Sequence, residues 1–233
     1  MKVLLAGGTG GLGRATAELL AREGWEVVLS YRQNGTRAAE LSAIARVLQS
    51  DITIAEDRRK LLAEAGLIDG LVVFSGNPAR LTSAGQMEEQ MRLSHEVNYL
   101  GPLLLAREAA AQMKNAAKAG SIVLFATMQS VALFPGSTAY AGAKAALIHG
   151  ARLLGKELRG KTNIRVNVIA PGIIDAGMAT ASIASGKYDR YLADDTIPRF
   201  GRAEDIARTV RFLLEPDSYI TGQVISVDGG ITL

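Results

Sequence analysis

Tyr140 and Lys144 stand four residues apart near the start of an alanine-rich segment, in the order Tyr-Ala-Gly-Ala-Lys. If this segment is helical, the spacing places both side chains on one face. A tyrosine hydroxyl has a reference pKa of about 10, and it needs a nearby cation to exchange a proton near neutral pH. The pair is therefore a candidate for acid–base chemistry, with Lys144 as the cation.

A glycine-rich segment follows the first apolar run and leads directly into a predicted helix: Gly7-Gly8-Thr9-Gly10-Gly11-Leu12-Gly13. Glycines let the backbone turn tightly and approach a pyrophosphate, which the N–H groups and dipole at a helix N-terminus attract. The spacing is GxxxGxG rather than GxGxxG. In this strand–loop–helix context the segment predicts a dinucleotide site.

Composition excludes several kinds of protein. Cysteine is absent, which rules out disulfides, thiolate metal sites and a cysteine nucleophile, and His95 and His149 are too far apart to predict a metal site. With 26 basic and 23 acidic residues and no basic stripe, nucleic acid is not an expected partner. The first apolar run is too short for a signal peptide or a membrane span, so a cytoplasmic protein with no membrane association is expected.

Short β-branched runs alternate with longer helical segments along the chain, which predicts an α/β fold: a doubly wound, Rossmann-type, seven-stranded parallel sheet with helices on both faces. No linker interrupts the pattern, so a single domain over residues 1–233 is expected. Strands are predicted at 2–6, 25–30, 47–49, 70–75, 121–126, 164–169 and 223–227, and helices at 12–22, 36–45, 56–65, 86–118, 138–159 and 203–214.

Further motifs occur in a consistent order: Asp51-Ile52, the run Asn-Ile-Arg-Val-Asn-Val-Ile-Ala-Pro-Gly at 163–172, Tyr-Ile-Thr-Gly-Gln-Val at 219–224 and Val-Asp-Gly-Gly at 227–230. Together with the glycine segment and the Tyr-x-x-x-Lys pair, they make nearly the whole chain resemble the short-chain dehydrogenase/reductase family. The nearest branch is that of the 3-oxoacyl-carrier-protein reductases. The resemblance implies hydride transfer between a nicotinamide dinucleotide and a carbonyl or alcohol.

The resemblance also implies a catalytic set around Tyr140, the general acid/base. Lys144 would supply the positive charge and also hold the nicotinamide ribose. Asn98 would help to hold the helix in which it lies, together with a water molecule. Thr127 stands where the family usually has a serine that hydrogen-bonds the substrate oxygen, with Ser130 as the nearest alternative donor. Hydride would pass from the nicotinamide to the carbonyl carbon while Tyr140 protonates the oxygen.

The cofactor is expected to be NADP, with NAD as the alternative. An NAD enzyme usually carries an acidic residue near the end of the second strand, but that strand ends Ser-Tyr-Arg, and no acidic residue lies between Glu26 and Glu40. Arg32, together with Arg14, would instead pair with a 2′-phosphate. The residues expected around the cofactor are Gly7, Thr9, Gly11, Leu12, Gly13, Arg14, Tyr31, Arg32, Asp51, Ile52, Ser75, Gly76, Lys144, Pro171, Gly172 and Ile174.

Four positions depart from the family pattern. Ala6 replaces the usual threonine before the first glycine, and Val-Phe-Ser-Gly, with Phe74 second, replaces the common Asn-Asn-Ala-Gly. Ala176 stands where a threonine commonly contacts the nicotinamide carboxamide, and Thr127 replaces serine. These losses leave two alternatives open: a dinucleotide-binding sensor or regulatory protein with impaired catalysis, and an NAD-dependent alcohol dehydrogenase.

The expected substrate is a small-molecule ketone or a 3-oxoacyl-type carbonyl compound, held between segments 77–81 and 128–134 and a substrate loop at 173–200. Apolar members of these segments are Phe134, Ile173, Met178, Tyr188 and Tyr191, and Arg80 is expected at the rim. The predicted helices at 86–118 and 138–159 carry small residues, and in the resembled family such helices pair across a two-fold axis. A homotetramer is therefore expected, with a homodimer next.

Overall fold

The computed structural model describes residues 1–79 and 84–233, and it contains a parallel sheet of seven strands. Its order is β3-β2-β1-β4-β5-β6-β7, so the chain winds outward from β1 in one direction and from β4 in the other. The strands are β1 (Lys2–Ala6), β2 (Glu26–Tyr31), β3 (Arg46–Gln49), β4 (Gly70–Val73), β5 (Gly120–Phe125), β6 (Ile164–Pro171) and β7 (Val224–Val227). This confirms the predicted fold class, and the switch in direction between β1 and β4 opens a crevice at the carboxyl ends of these strands.

Helices cover both faces of the sheet. In the described part of the chain they are α1 (Gly11–Arg22), α2 (Gly35–Glu40), α3 (Ala55–Ala65), α4 (Met87–His95), α5 (Gly101–Asn115), α6 (Thr138–Glu157), α7 (Thr180–Ala184), α8 (Asp189–Ala193) and α9 (Ala203–Leu214). Alternation along β1 shows how two cores arise: Leu4 packs towards α3, α5 and α6, whereas Leu5 packs towards α1 and α9. No helix among the described residues is long and apolar enough to cross a membrane.

The predicted helix at 86–118 is wrong as a continuous α-helix. The segment forms α4, then a π-helical turn over Glu96–Leu100, then α5. The Gly101 N–H bonds to the Glu96 carbonyl, five residues back. Pro102 has no N–H to donate to the Asn98 carbonyl, so a normal α-helical turn cannot close there.

Two other predicted segments differ from the structure. The predicted helix at 36–45 is shorter, because α2 ends at Glu40 and turns follow it. The segment 173–200, expected to be irregular, contains α7 and α8. Both ends of this substrate loop are held together, because Gly201 N donates to Ile173 O at 2.9 Å and Asp175 N donates to Gly201 O at 2.8 Å.

Candidate active site

A cleft of about 1080 Å³ lies beyond the carboxyl ends of the central strands and extends under the substrate loop. Most of the residues expected around the cofactor line it, as do Thr127, Tyr140 and Lys144. The topology therefore brings together groups from the glycine-rich segment, the ends of β2 to β6 and the start of α6. Asn98 lies behind this surface, and Arg14 lies outside it.

The turn from β1 into α1 is shaped for close backbone approach. Gly7 has φ +71°, and a Cβ atom on it would lie 2.6 Å from Ser75 Oγ; one on Gly13 would lie 2.4 Å from Gly8 Cα. Only glycine fits both positions. Gly7 N also donates to Ser30 Oγ at 3.3 Å. Gly10, the residue before α1, has no side chain that could cap the first N–H groups of the helix. The first-turn N–H groups of α1 thus face the cleft, and the cradle fits the pyrophosphate of a dinucleotide.

The far end of the cleft carries Tyr31, Arg32, Asp51 and Ile52. Arg32 is half exposed, and its Nη1 lies 3.7 Å from Asp51 Oδ2, which leaves most of the guanidinium open to solvent. Arg14 does not share this position. Its guanidinium lies on the outer side of α1, where it contacts Glu18 Oε1 at 2.9 Å and Glu40 Oε2 at 2.7 Å. Glu40 is distant in sequence, so its capture of Arg14 was not foreseeable from helical spacing.

Lys144 is almost completely buried, with 2% exposure. Its Nζ donates to the Phe125 carbonyl at 2.7 Å and to the Ser75 carbonyl at 3.4 Å, so it joins the ends of β4 and β5. Burial lowers the pKa of Lys144 to about 7, because removal from water disfavours the charged ammonium.

Tyr140 lies one turn earlier on α6 and is partly buried at the cleft wall. Burial raises the pKa of Tyr140 to about 12, and a hydrogen bond with the Thr127 side chain acts in the opposite direction. At neutral pH the hydroxyl therefore carries its proton. Thr127 lies two residues after the end of β5 and is 9% exposed, and its hydrogen bond with Tyr140 brings the two hydroxyls together at the floor of the cleft.

The structure distinguishes Thr127 from Ser130. Thr127 lines the cleft, whereas Ser130 does not. The Ser130 hydroxyl instead donates to the Thr127 carbonyl at 2.7 Å, closing a short 3-10 turn over Met128–Ser130. Ser130 thereby orients Thr127, whose side chain lines the cleft.

Asn98 is fully buried in the π-helical turn and binds the loop after β4. Its Oδ1 accepts from Asn77 N at 2.8 Å, and its Nδ2 donates to Asn77 O at 2.8 Å and to Ser94 Oγ at 2.9 Å. A Cβ atom on Gly76 would lie 3.4 Å from Asn98 Oδ1 and 3.9 Å from Lys144 Nζ, which places both groups beside the same backbone. Sequence reasoning missed Ser94 and Asn77, because their roles depend on the π-helical register.

Comparison with known proteins agrees with this arrangement. A family model described as Enoyl-(Acyl carrier protein) reductase matches residues 6–232. The chain is 34% identical to 3-oxoacyl-[acyl-carrier-protein] reductase FabG of Chlamydia muridarum over 241 residues, covering 98% of this chain and 96% of that one. It is also 33% identical to carbonyl reductase family member 4 of Danio rerio, covering 97% and 96%.

A solved short-chain type dehydrogenase/reductase from Mycobacterium ulcerans superposes with a TM-score of 0.89 at 29% identity, over 99% of this chain and 89% of that one. The chain belongs to the short-chain dehydrogenase/reductase family. It is accordingly an oxidoreductase, as the resemblance of its motifs implied.

Apolar packing fills the positions at which this chain departs from other short-chain dehydrogenases/reductases. The Phe74 ring packs on Phe125 with centroids 4.6 Å apart, and Ala6 is completely buried. A Cβ atom on Gly11 would lie 2.9 Å from Ala176 Cβ, so the loop after β6 lies directly on the glycine turn. These replacements substitute van der Waals contact for side-chain hydrogen bonds without leaving buried polar atoms unpaired in the described residues.

The substrate side of this short-chain dehydrogenase/reductase is largely apolar. Met128, Ile173 and Ile197 form a small core under the substrate loop, against which Phe134 and Tyr191 pack. Of the apolar residues expected here, Ile173, Met178 and Tyr188 line the cleft, whereas Phe134 and Tyr191 do not. Arg80, expected at the rim, and Leu81, the last residue of segment 77–81, lie outside the described residues.

Proposed function

We propose that this protein is an NADP(H)-dependent carbonyl reductase that reduces a ketone or 3-oxoacyl-type compound to an alcohol. The observation that carries the proposal is the pair of hydroxyls of Tyr140 and Thr127 at the cleft floor, beside the buried Lys144. Two hydroxyl groups that lie together can both donate hydrogen bonds to a carbonyl oxygen as it gains negative charge during the reaction. The relatives named as 3-oxoacyl-carrier-protein and carbonyl reductases support this substrate class.

Tyr140 acts as the general acid in this mechanism. Because its pKa is raised to about 12, it is a phenol at neutral pH and has a proton to donate to the carbonyl oxygen. Thr127 donates a second hydrogen bond to the same oxygen. A nicotinamide dinucleotide, when bound, supplies the hydride.

Lys144 and Asn98 assist Tyr140, the general acid. Loss of the phenolic proton creates a negative charge, which favours the ammonium form of Lys144 over the amine. Asn98 holds the Gly76–Asn77 backbone in place beside Lys144 Nζ through both its amide atoms.

Arg32 supports NADP as the cofactor, because an exposed guanidinium at the end of β2 matches a 2′-phosphate in charge and geometry. The residues that fit the rest of the dinucleotide are the glycine turn for the pyrophosphate and Asp51 with Ile52 for the adenine. Pro171, Gly172 and Ile174 border the nicotinamide end. A homotetramer or homodimer in the cytoplasm completes the proposal.

Titration of the purified protein with NADPH and NADH, followed by nicotinamide fluorescence, is the first experiment. Tighter binding of NADPH is expected, and a preference for NADH would favour the alcohol dehydrogenase alternative. Absence of binding by both would contradict the proposal and leave no basis for reductase activity.

Tyr140→Phe separates a reductase from a non-catalytic sensor. We expect it to lower kcat for ketone reduction by roughly 10²- to 10⁴-fold, because the proton donor is removed, with NADPH affinity unchanged. The assay is NADPH oxidation with a panel of apolar ketones and 3-oxoacyl thioesters. Full activity in the variant would refute the mechanism, and wild-type protein that binds NADPH but reduces nothing in the panel would favour the sensor.

A further inference from the structure

Arg58 is a buried cation that does not line the cleft. It lies in the first turns of α3 and is 4% exposed. Its Nε donates to Glu108 Oε1 at 3.0 Å and to Oε2 at 3.2 Å, and its Nη1 donates to the Ile52 carbonyl at 2.9 Å and the Thr53 carbonyl at 3.3 Å. A charge is tolerated at such burial only with this degree of pairing.

The carbonyls that Arg58 binds belong to the loop that follows β3. Ile52 and Thr53 both line the cleft, in the region that fits the adenine. The same loop is tied from its other side, because Asp51 N donates to Asp57 Oδ2 at 2.8 Å and Thr53 N donates to Asp51 Oδ1 at 3.0 Å. The side chains of Asp57 and Arg58 thus fix both the N–H and the C=O groups of the loop.

Glu108 connects this loop to α5. A Cβ atom on Gly101, at the start of α5, would lie 3.2 Å from the Ile52 carbonyl, so the loop already rests against that helix. The two hydrogen bonds from Arg58 to Glu108 then fix how α3 lies relative to α5. A planar guanidinium can reach a carboxylate on one side and carbonyls on the other, which lysine cannot do with one ammonium.

We propose that Arg58, held by Glu108, is a positioning residue for the adenine half of the cofactor, although neither residue touches it. The inference rests on the proposed dinucleotide site. Arg58 fixes the Ile52–Thr53 backbone, so that both residues would be in place to border the adenine when the cofactor binds. Without Arg58, the loop has to reorganise at each binding event, and affinity falls for ligands that carry the adenine half of the cofactor.

The test compares Arg58→Met with wild type by titration with NADPH and with ADP-ribose, which lacks the nicotinamide. Met keeps the bulk and helix propensity of the side chain but donates nothing. We expect both dissociation constants to rise by about ten-fold, the change that follows from losing charge-assisted hydrogen bonds. Arg107→Met is the matched control, because Arg107 stands beside Glu108 on α5 and makes an exposed pair with Glu157 of α6, and both constants should stay unchanged.

Two further variants keep the inference open to refutation if Arg58→Met does not fold. Glu108→Gln should give a smaller rise in both constants. The double variant Arg58→Met/Glu108→Leu should regain thermal stability, because an apolar pair replaces a buried ion pair, while both constants remain high.

The outcomes separate this inference from the proposed function. Affinity that returns together with stability in the double variant, or a rise for NADPH but not for ADP-ribose, would overturn the positioning role. The same holds for unchanged constants in a folded Arg58→Met or Glu108→Gln protein. Failure of the wild type to bind either NADPH or NADH would overturn the proposed function and this inference with it.

Discussion

At the residue scale, the site depends on a lysine that is stabilised by backbone carbonyls rather than by a carboxylate. Lys144 donates to the carbonyls of Ser75 and Phe125. Such a group is poised between its charged and neutral forms near neutral pH, because its pKa is lowered to about 7 by burial. The ammonium form therefore responds to whatever negative charge enters the cleft.

The lowered pKa of Lys144 has a consequence for stability without cofactor. Because the folded-state pKa of about 7 lies below the unfolded-state value, the unfolded chain binds more protons between these two values. Stability should therefore rise as pH increases from about 7 towards the ordinary lysine pKa. Thermal melts at pH 7 and pH 9 should show this rise in the wild type and a smaller one in Lys144→Met. Equal slopes in the two proteins would contradict the assignment.

Arg32 is predicted to select between cofactors. Arg32→Ala should raise the NADPH dissociation constant about ten-fold or more and leave that for NADH nearly unchanged, because only NADPH carries the 2′-phosphate. Arg14→Ala is the control, since Arg14 is engaged by Glu18 and Glu40. If Arg14→Ala weakens NADPH binding as much as Arg32→Ala does, Arg14 also contributes to the 2′-phosphate site, contrary to its position in the structure.

At the scale of the element, the π-helical turn explains why an asparagine is placed within a helical segment. The turn directs Asn98 towards the loop after β4, where both atoms of its amide bind the Asn77 backbone. The helical prediction for 86–118 holds in α4 and α5, on either side of the turn. Helical periodicity could not predict the interruption, since a single turn of five-residue spacing leaves almost no trace in a pattern of apolar positions.

Removal of the Asn98 amide should destabilise the protein measurably. Asn98→Ala leaves the Asn77 N–H and C=O without their partners, and we expect the free energy of unfolding to fall by about 2 kcal/mol or more. Urea denaturation monitored by circular dichroism measures this. Ser94→Ala serves as a comparison, because it removes one acceptor of the Asn98 amide and one donor to the Ala139 carbonyl but leaves both bonds to the Asn77 backbone, and it should cost less. An equal or larger loss in Ser94→Ala would argue against this role for Asn98.

At the scale of the whole molecule, the doubly wound, seven-stranded parallel sheet was predictable, whereas contacts between distant segments were not. The fold is predictable from short segments of the sequence, namely glycines that follow a strand and apolar runs bounded by helices. The pairs Arg14–Glu40 and Arg58–Glu108 join residues 26 and 50 positions apart, and nothing in residue type or spacing connects them. Thr127 was distinguishable from Ser130 only once the turn between them was seen.

The helices on one face of the sheet leave apolar side chains exposed, which bears on the proposed oligomer. Leu104 on α5 is 38% exposed and Leu153 on α6 is 47% exposed. We expect Leu104→Glu/Leu153→Glu to reduce the assembly to a smaller species, because charge is costly to bury between subunits. Analytical ultracentrifugation at several concentrations measures this, with Leu67→Glu as an exposed control away from these helices. A wild-type monomer would refute the assembly.

The pairing of Ile174 with Gly201 makes the substrate loop an exchangeable module. Because its two ends are clamped by backbone hydrogen bonds beside β6, its inner residues can vary in length and sequence while the sheet beneath keeps its register. Ala176 and Gly177 lie against the glycine turn and have to be kept. Transplanting the rest of the loop from another family member should therefore alter which ketones are accepted and leave dinucleotide affinity intact. On this scaffold, recognition of the substrate and capture of the cofactor can evolve separately.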